Sequence, residues 1–133
     1  MYKLPALSPH HSDPATYLPG IAFMDGQYLP ISEAKILVLD NRFLHSDATY
    51  DVAHEWKGAF FRLYDHLNRF FAGMKKLRLS IPFDHAEVSE ILHNCVALSG
   101  LKNAYVEFIV FGDWRKETLQ GPCAGRRKVP AAA

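Results

Sequence analysis

The chain has 133 residues, 15 basic and 14 acidic side chains for a formal charge of +1, and 49% hydrophobic content. A chain of this size forms one domain with a real core, burying roughly 65–70% of the surface it would expose when unfolded. A near-neutral chain offers no broad field to attract phosphate backbones or anionic lipid, so neither a nucleic-acid nor a membrane partner is expected. No apolar run reaches the roughly 18–20 residues of a membrane span. Pro5, His10, His11 and Asp13 occupy the place where a signal peptide would have its apolar stretch, so a cytoplasmic location is expected. Cys95 and Cys123 are the only cysteines, and Cys95 falls in an apolar helical pattern where a small buried thiol is common.

In chain order, Pro5, Pro9, Pro14 and Pro19 stand among polar residues, which prevents a helix and offers no alternation for a strand. Residues 1–19 read as a flexible Pro-rich arm. Ile21-Ala22-Phe23-Met24 and Gln27-Tyr28-Leu29-Pro30 flank Asp25-Gly26, a strong hairpin signal. Ile36-Leu37-Val38-Leu39 is short and wholly apolar, which suits a buried strand or a turn segment. Thr49–Glu55 and Ala59–Leu63 flank Trp56-Lys57-Gly58 and predict a second hairpin.

From Leu63 the apolar positions Leu67, Phe70, Phe71, Met74 and Leu77 recur at helical spacing, with Asp65 near the helix start. Pro82 breaks the chain. Asp84 is a candidate cap for a second helix carrying Val88, Ile91, Leu92, Cys95, Val96 and Leu98 towards Gly100. Ala104–Phe111 is the strongest strand signal, nearly continuous in apolar character, which predicts a central strand covered on both faces with Glu107 as the exception. The predicted fold is α+β: a mainly antiparallel sheet with two helices packed against it.

The run Phe43-Leu44-His45-Ser46-Asp47-Ala48-Thr49-Tyr50-Asp51-Val52 is followed by Trp56-Lys57-Gly58, Phe61-Arg62-Leu63 and His66-Leu67-Asn68-Arg69. This layout resembles the class IV (fold type IV) pyridoxal-phosphate aminotransferases over about residues 20 to 111. It is closest to the branch of (R)-selective amine transaminases, with branched-chain and D-amino-acid aminotransferases as wider relatives. The resemblance covers the small N-terminal domain and implies domain limits of 20–112, followed by a divergent tail, 113–133, without strand or helix period and expected to be disordered. It implies a pyridoxal 5'-phosphate cofactor, a primary amine or amino acid and a keto acid as partners, and pairing as a homodimer or with a full-length relative.

By the same resemblance, Arg69 matches the arginine that holds the cofactor phosphate. A guanidinium fork suits phosphate oxygens, although periodicity alone places Arg69 off the apolar stripe, where an arginine is usually solvated. His45, Tyr50, Val52, Tyr105 and Glu107 match positions around the substrate, and the alternate pairs Tyr50/Val52 and Tyr105/Glu107 would each point to one face of a strand. An aromatic sheet face with one carboxylate paired to a neighbouring base accounts for the same letters. A glutamate at 107 does not suit a substrate carboxylate, so a simple amine fits better than an α-amino acid. None of the eight lysines, at positions 3, 35, 57, 75, 76, 102, 116 and 128, matches the family's cofactor-bearing lysine, so no residue here is expected to be catalytic and the product should not turn over alone. A non-catalytic interaction module is the alternative reading, with Phe60, Phe61, Phe70 and Phe71 as apolar material for a docking surface. The histidines fit no standard zinc spacing, and no Gly-rich phosphate loop or Gly-x-Ser-x-Gly elbow is present. Arg126-Arg127-Lys128 in the tail is most simply solvated.

Overall fold

The structure, a computed structural model, describes Tyr17, residues 19–112 and residues 131–132. Its chain runs β1 (Ile21–Met24), β2 (Gln27–Pro30), a 3-10 turn (Ile31–Glu33), the single-turn helix α1 (Asn41–Leu44), β3 (Ala48–Trp56) and β4 (Ala59–Phe60). Helices α2 (Leu63–Lys76) and α3 (His85–Ser99) follow, then β5 (Asn103–Phe111) and β6 (Ala131–Ala132). The strands form one sheet in the order β2-β1-β6-β5-β3-β4, and every pairing is antiparallel. The fold is α+β.

Both predicted hairpins form, through the same turn chemistry. Asp25 and Gly26 have φ 54° and 82°, and Lys57 and Gly58 have φ 51° and 87°. Two successive positive φ angles give the turn twist that matches paired strands, and glycine in the second position adopts it without a Cβ penalty. The second hairpin is shorter than predicted, because β4 pairs only Glu55 with Phe60 and Trp56 with Ala59.

Helix α2 buries Leu67, Phe70 and Met74 and lies against β3. A Cβ at Gly73 would stand 3.3 Å from Thr49 Oγ1, so this glycine lets the helix backbone come close to the strand. It does so at about 1 kcal/mol of helix propensity. Helix α3 begins with a full capping box: Asp84 accepts from the Glu87 amide at 2.9 Å, and Glu87 accepts from the Asp84 amide at 2.9 Å. It ends at Gly100 with φ 68°, as predicted.

Both long helices cover one face of the sheet. Ile21, Phe23, Ala53, Val106, Phe108 and Val110 point into a single core with Leu67, Phe70, Met74, Val88, Ile91, Leu92 and Cys95. Phe70 meets Phe108 edge-on at 4.9 Å. Each buried Val, Leu, Ile, Phe or Met side chain there contributes about 1.5–3 kcal/mol of apolar transfer energy.

Four expectations are corrected or narrowed. Tyr17 is fully buried in the core, so the flexible arm expected through residue 19 does not describe it. Ile36–Leu39 takes the turn alternative and not the buried strand: the Asp40 amide donates to the Leu37 carbonyl at 2.9 Å, and Leu37, Val38 and Leu39 are among the most exposed apolar residues. β5 is not covered on both faces: Ala104, Val106, Phe108 and Val110 are buried while Tyr105 and Glu107 are exposed, the alternation of a one-sided sheet. Of the four phenylalanines expected to supply an exposed patch, Phe70 is buried, Phe60 and Phe71 pack partly against the core, and only Phe61 is exposed. The tail expected to be disordered lies outside the described residues from 113 to 130. Ala131 and Ala132 pair with Phe23 and Ala22 on one side and with Phe108 and Glu107 on the other, joining β1 to β5.

Candidate functional site

The alternation along β3 decides what each of its residues can reach. Tyr50, Val52, His54 and Trp56 point away from the helices, while Asp51, Ala53 and Glu55 are buried on the helix side. In the β3–β5 ladder Val52 stands opposite Glu107, His54 opposite Tyr105 and Tyr50 opposite Ile109. Four of the predicted substrate-side residues, Tyr50, Val52, Tyr105 and Glu107, therefore share the outer face. The His54 and Tyr105 rings stack at 4.7 Å and 14°, and Trp56 meets His54 edge-on at 6.1 Å. Tyr50 and Tyr105 remain 64% and 72% exposed, an unusual amount of aromatic surface with no cover among the described residues. Glu107 makes no ion pair or side-chain hydrogen bond among the described residues. His45 is not on this face; it is exposed in the turn between α1 and β3.

Arg69 lies on the other side of β3, on α2. Its Nε donates to Asp51 Oδ2 at 2.6 Å and its Nη2 to Asp51 Oδ1 at 2.7 Å, a two-pronged fork. Asp51 Oδ1 also accepts from the Val52 amide at 2.8 Å and lies 2.9 Å from His66 Nδ1. An ionised carboxylate only accepts, so His66 Nδ1 carries the proton. The 3.3 Å approach of Arg69 Nη2 to the same nitrogen is then a contact between two donors. Burial pushes the Asp51 carboxyl up, but the bonds from Arg69, His66 and the Val52 amide outweigh it and hold the group below its ordinary value. The same carboxylate raises Arg69 further above its already high value.

The Asp51 side chain is 3% exposed, whereas that of Arg69 is 71% exposed. Arg69 is thus off the apolar stripe, as periodicity requires, yet held rather than freely solvated. Asp51 and His66 were not singled out as site residues from the sequence. The available signals were an acidic residue at an inward strand position and the three-residue spacing of His66 and Arg69, which puts both on one helix face. On the side of β3 away from β5, β4 pairs only with Glu55 and Trp56, so no described strand pairs with that edge at Asp51.

The donor set fits a phosphate. Nε and one N–H of Nη2 are taken by Asp51, while Nη1 has no partner among the described residues and offers the end of the fork outward. Other chemistry has little support. No group of three or more His, Cys, Asp or Glu among the described residues could hold a metal ion. Burial pushes the Cys95 thiol up to about 12, which leaves almost no thiolate for nucleophilic attack. No helix of the described residues is long and apolar enough to cross a membrane.

The sequence profile described as Amino-transferase class IV matches residues 48–129, well over half of the chain. The chain belongs to this family. A Methanocaldococcus jannaschii protein, provisionally named a branched-chain-amino-acid aminotransferase, is 24% identical over 88 residues, which cover 66% of this chain and 31% of that protein. The D-alanine aminotransferase of Listeria monocytogenes is 29% identical over 77 residues, 56% of this chain and 27% of the relative. Among solved structures, a T.th. branched-chain amino acid aminotransferase, crystallised with 4-methylvaleric acid, superposes with a TM-score of 0.72 at 25% identity, covering 85% of this chain and 39% of that one. That of Escherichia coli superposes with a TM-score of 0.73 at 19% identity, which bears on the fold alone. This class IV chain spans under a third of the length of these curated relatives.

Proposed function

We propose that this chain forms the small-domain wall of a pyridoxal-phosphate site for amino-group transfer from a primary amine or amino acid to a keto acid, with residues 20–112 as the unit involved. The observation that carries this reading is the exposed Arg69 guanidinium, held by both oxygens of Asp51 on β3 while its Nη1 has no partner among the described residues. Pyridoxal phosphate, when bound, supplies the electron sink for the substrate carbon. Arg69 donates to the phosphate through the free end of its fork. Tyr50, Val52 and Tyr105 supply apolar and aromatic surface that excludes water from the substrate, with His45 at the margin.

Glu107, exposed on that face, would repel a substrate carboxylate and favour a cationic amine, which supports the (R)-selective amine transaminase branch over the amino-acid branches. The lysine that would carry the cofactor and move the proton is none of the eight in this sequence, so the chain as given is expected not to turn over by itself. Calorimetric titration with pyridoxal phosphate and with pyridoxal tests the reading. Binding that depends on the phosphate is expected; equal affinity for the two compounds would contradict it.

A second reading, an interaction module that pairs with itself or with an intact relative, is favoured by one observation. Leu37, Val38, Leu39, Phe43 and Leu44 are all more than half exposed within one short stretch. Sedimentation velocity should show concentration-dependent association that Leu37→Glu weakens. A monomer at every soluble concentration would rule out self-pairing and count against this reading.

A further inference from the structure

Building on the phosphate role proposed for Arg69, we infer that Asp51 is a positioning residue for that site: it sets the direction in which the guanidinium presents its free N–H groups. An exposed arginine on a helix samples many rotamers, and a phosphate must then select one of them. Asp51 removes that freedom from the strand side. Its carboxylate is nearly inaccessible, is anchored by the Val52 amide and His66 Nδ1, and uses both oxygens on the Nε and Nη2 side of the fork. Two parallel bonds fix the guanidinium plane as well as its place. Nη2 also approaches His66 Nδ1 at 3.3 Å, so Nη1, which has no partner among the described residues, is the end of the fork left to meet an oxyanion.

The inference has an unusual sign, which makes it testable. Asp51 brings a negative charge close to the place assigned to a phosphate dianion. If only the field mattered, removing that charge would tighten phosphate binding. If orientation matters more, removing it weakens binding although the site becomes more positive. His66, on the same carboxylate, keeps its Nδ1 proton towards Asp51 and so adds to the anchoring.

The test is titration of the whole chain with pyridoxal phosphate and with pyridoxal, for the unaltered protein, Asp51→Asn, Asp51→Glu and Arg69→Ala, with a thermal melt of each. Asp51→Asn is expected to lower pyridoxal phosphate affinity about tenfold, the scale of a hydrogen bond to a charged group. Pyridoxal affinity should stay unchanged, so the preference for the phosphorylated compound falls, which a general loss of structure would not produce. Asp51→Glu keeps the charge but moves it by one methylene, and should give an intermediate preference. A preference at or above that of the unaltered protein in either Asp51 variant, with Arg69→Ala still losing it, overturns the inference alone. If Arg69→Ala keeps the full preference, or the unaltered protein has none, the phosphate role falls and the inference with it. A sharp Arg69 Nε–H nitrogen-15 resonance that broadens or averages in Asp51→Asn without ligand is the second expected result; an unchanged resonance counts against a fixed fork.

Discussion

The two faces of the β3–β5 ladder are built from the same two strands yet follow opposite rules. The inward face carries Ala53, Val106, Phe108 and Val110, all buried under α2 and α3. Its outward counterpart carries Tyr50, His54, Trp56, Tyr105 and Glu107, with large aromatic rings left in solvent. Burial on the first face means that its residues are set by packing, so they carry stability. The second face has aromatic surface beyond what the described fold uses, which is the mark of a surface kept for contact with something else. Asp51 is the exception on the inward side, a buried carboxylate that binds the exposed Arg69 guanidinium.

Stability measurements should break this symmetry sharply. Phe108→Ala removes a fully buried ring that packs on Phe70 and is expected to cost about 3–5 kcal/mol in denaturant unfolding. A cost near zero would mean that the inward face is not the core. Asp84→Ala, which deletes one half of the α3 capping box, should cost about 1 kcal/mol by the same measurement. Tyr105→Ala, on the outer face of the same strand as Phe108, should stay within about 0.5 kcal/mol of the unaltered protein. A larger loss would make that face structural after all.

Acid titration sharpens the comparison at Asp51. Its folded-state pKa lies below the value in the unfolded chain, so as pH falls the unfolded chain takes up this proton first. The stabilisation is therefore present above about pH 4, the ordinary aspartate value, and is lost as pH drops through the lower folded value. Asp51→Asn should flatten that part of the stability profile. An acid limb identical to that of the unaltered protein would show that the fork contributes nothing to folding.

How far the sequence foretold this arrangement depends on how local each cause is. The Asp25-Gly26 and Lys57-Gly58 turns, the α2 stripe and the Asp84 cap were all legible, because turn chemistry and helical periodicity act within a few residues. The family layout was legible too, from His66-Leu67-Asn68-Arg69 placed after a hairpin. Ile36–Leu39 left strand and turn open because an apolar run states only that something is to be covered, not whether the described fold covers it. β5 misled through Ile109 and Phe111, which made an alternating strand look continuous. The Asp51–Arg69 fork joins residues 18 positions apart and depends on which way β3 faces, so it needed the β3 register and the placing of α2. The pairing of Ala131–Ala132 with β1 and β5 had no sequence signal, since two alanines carry no period.

Phosphorus-31 spectroscopy of pyridoxal phosphate mixed with the unaltered chain and with Arg69→Ala tests the central assignment most directly. A shifted or broadened phosphate resonance with the unaltered chain, restored to its free position with Arg69→Ala, is the result predicted here. The same resonance in both mixtures would show that Arg69 does not hold the phosphate, and the cofactor site assigned to it would have to be abandoned.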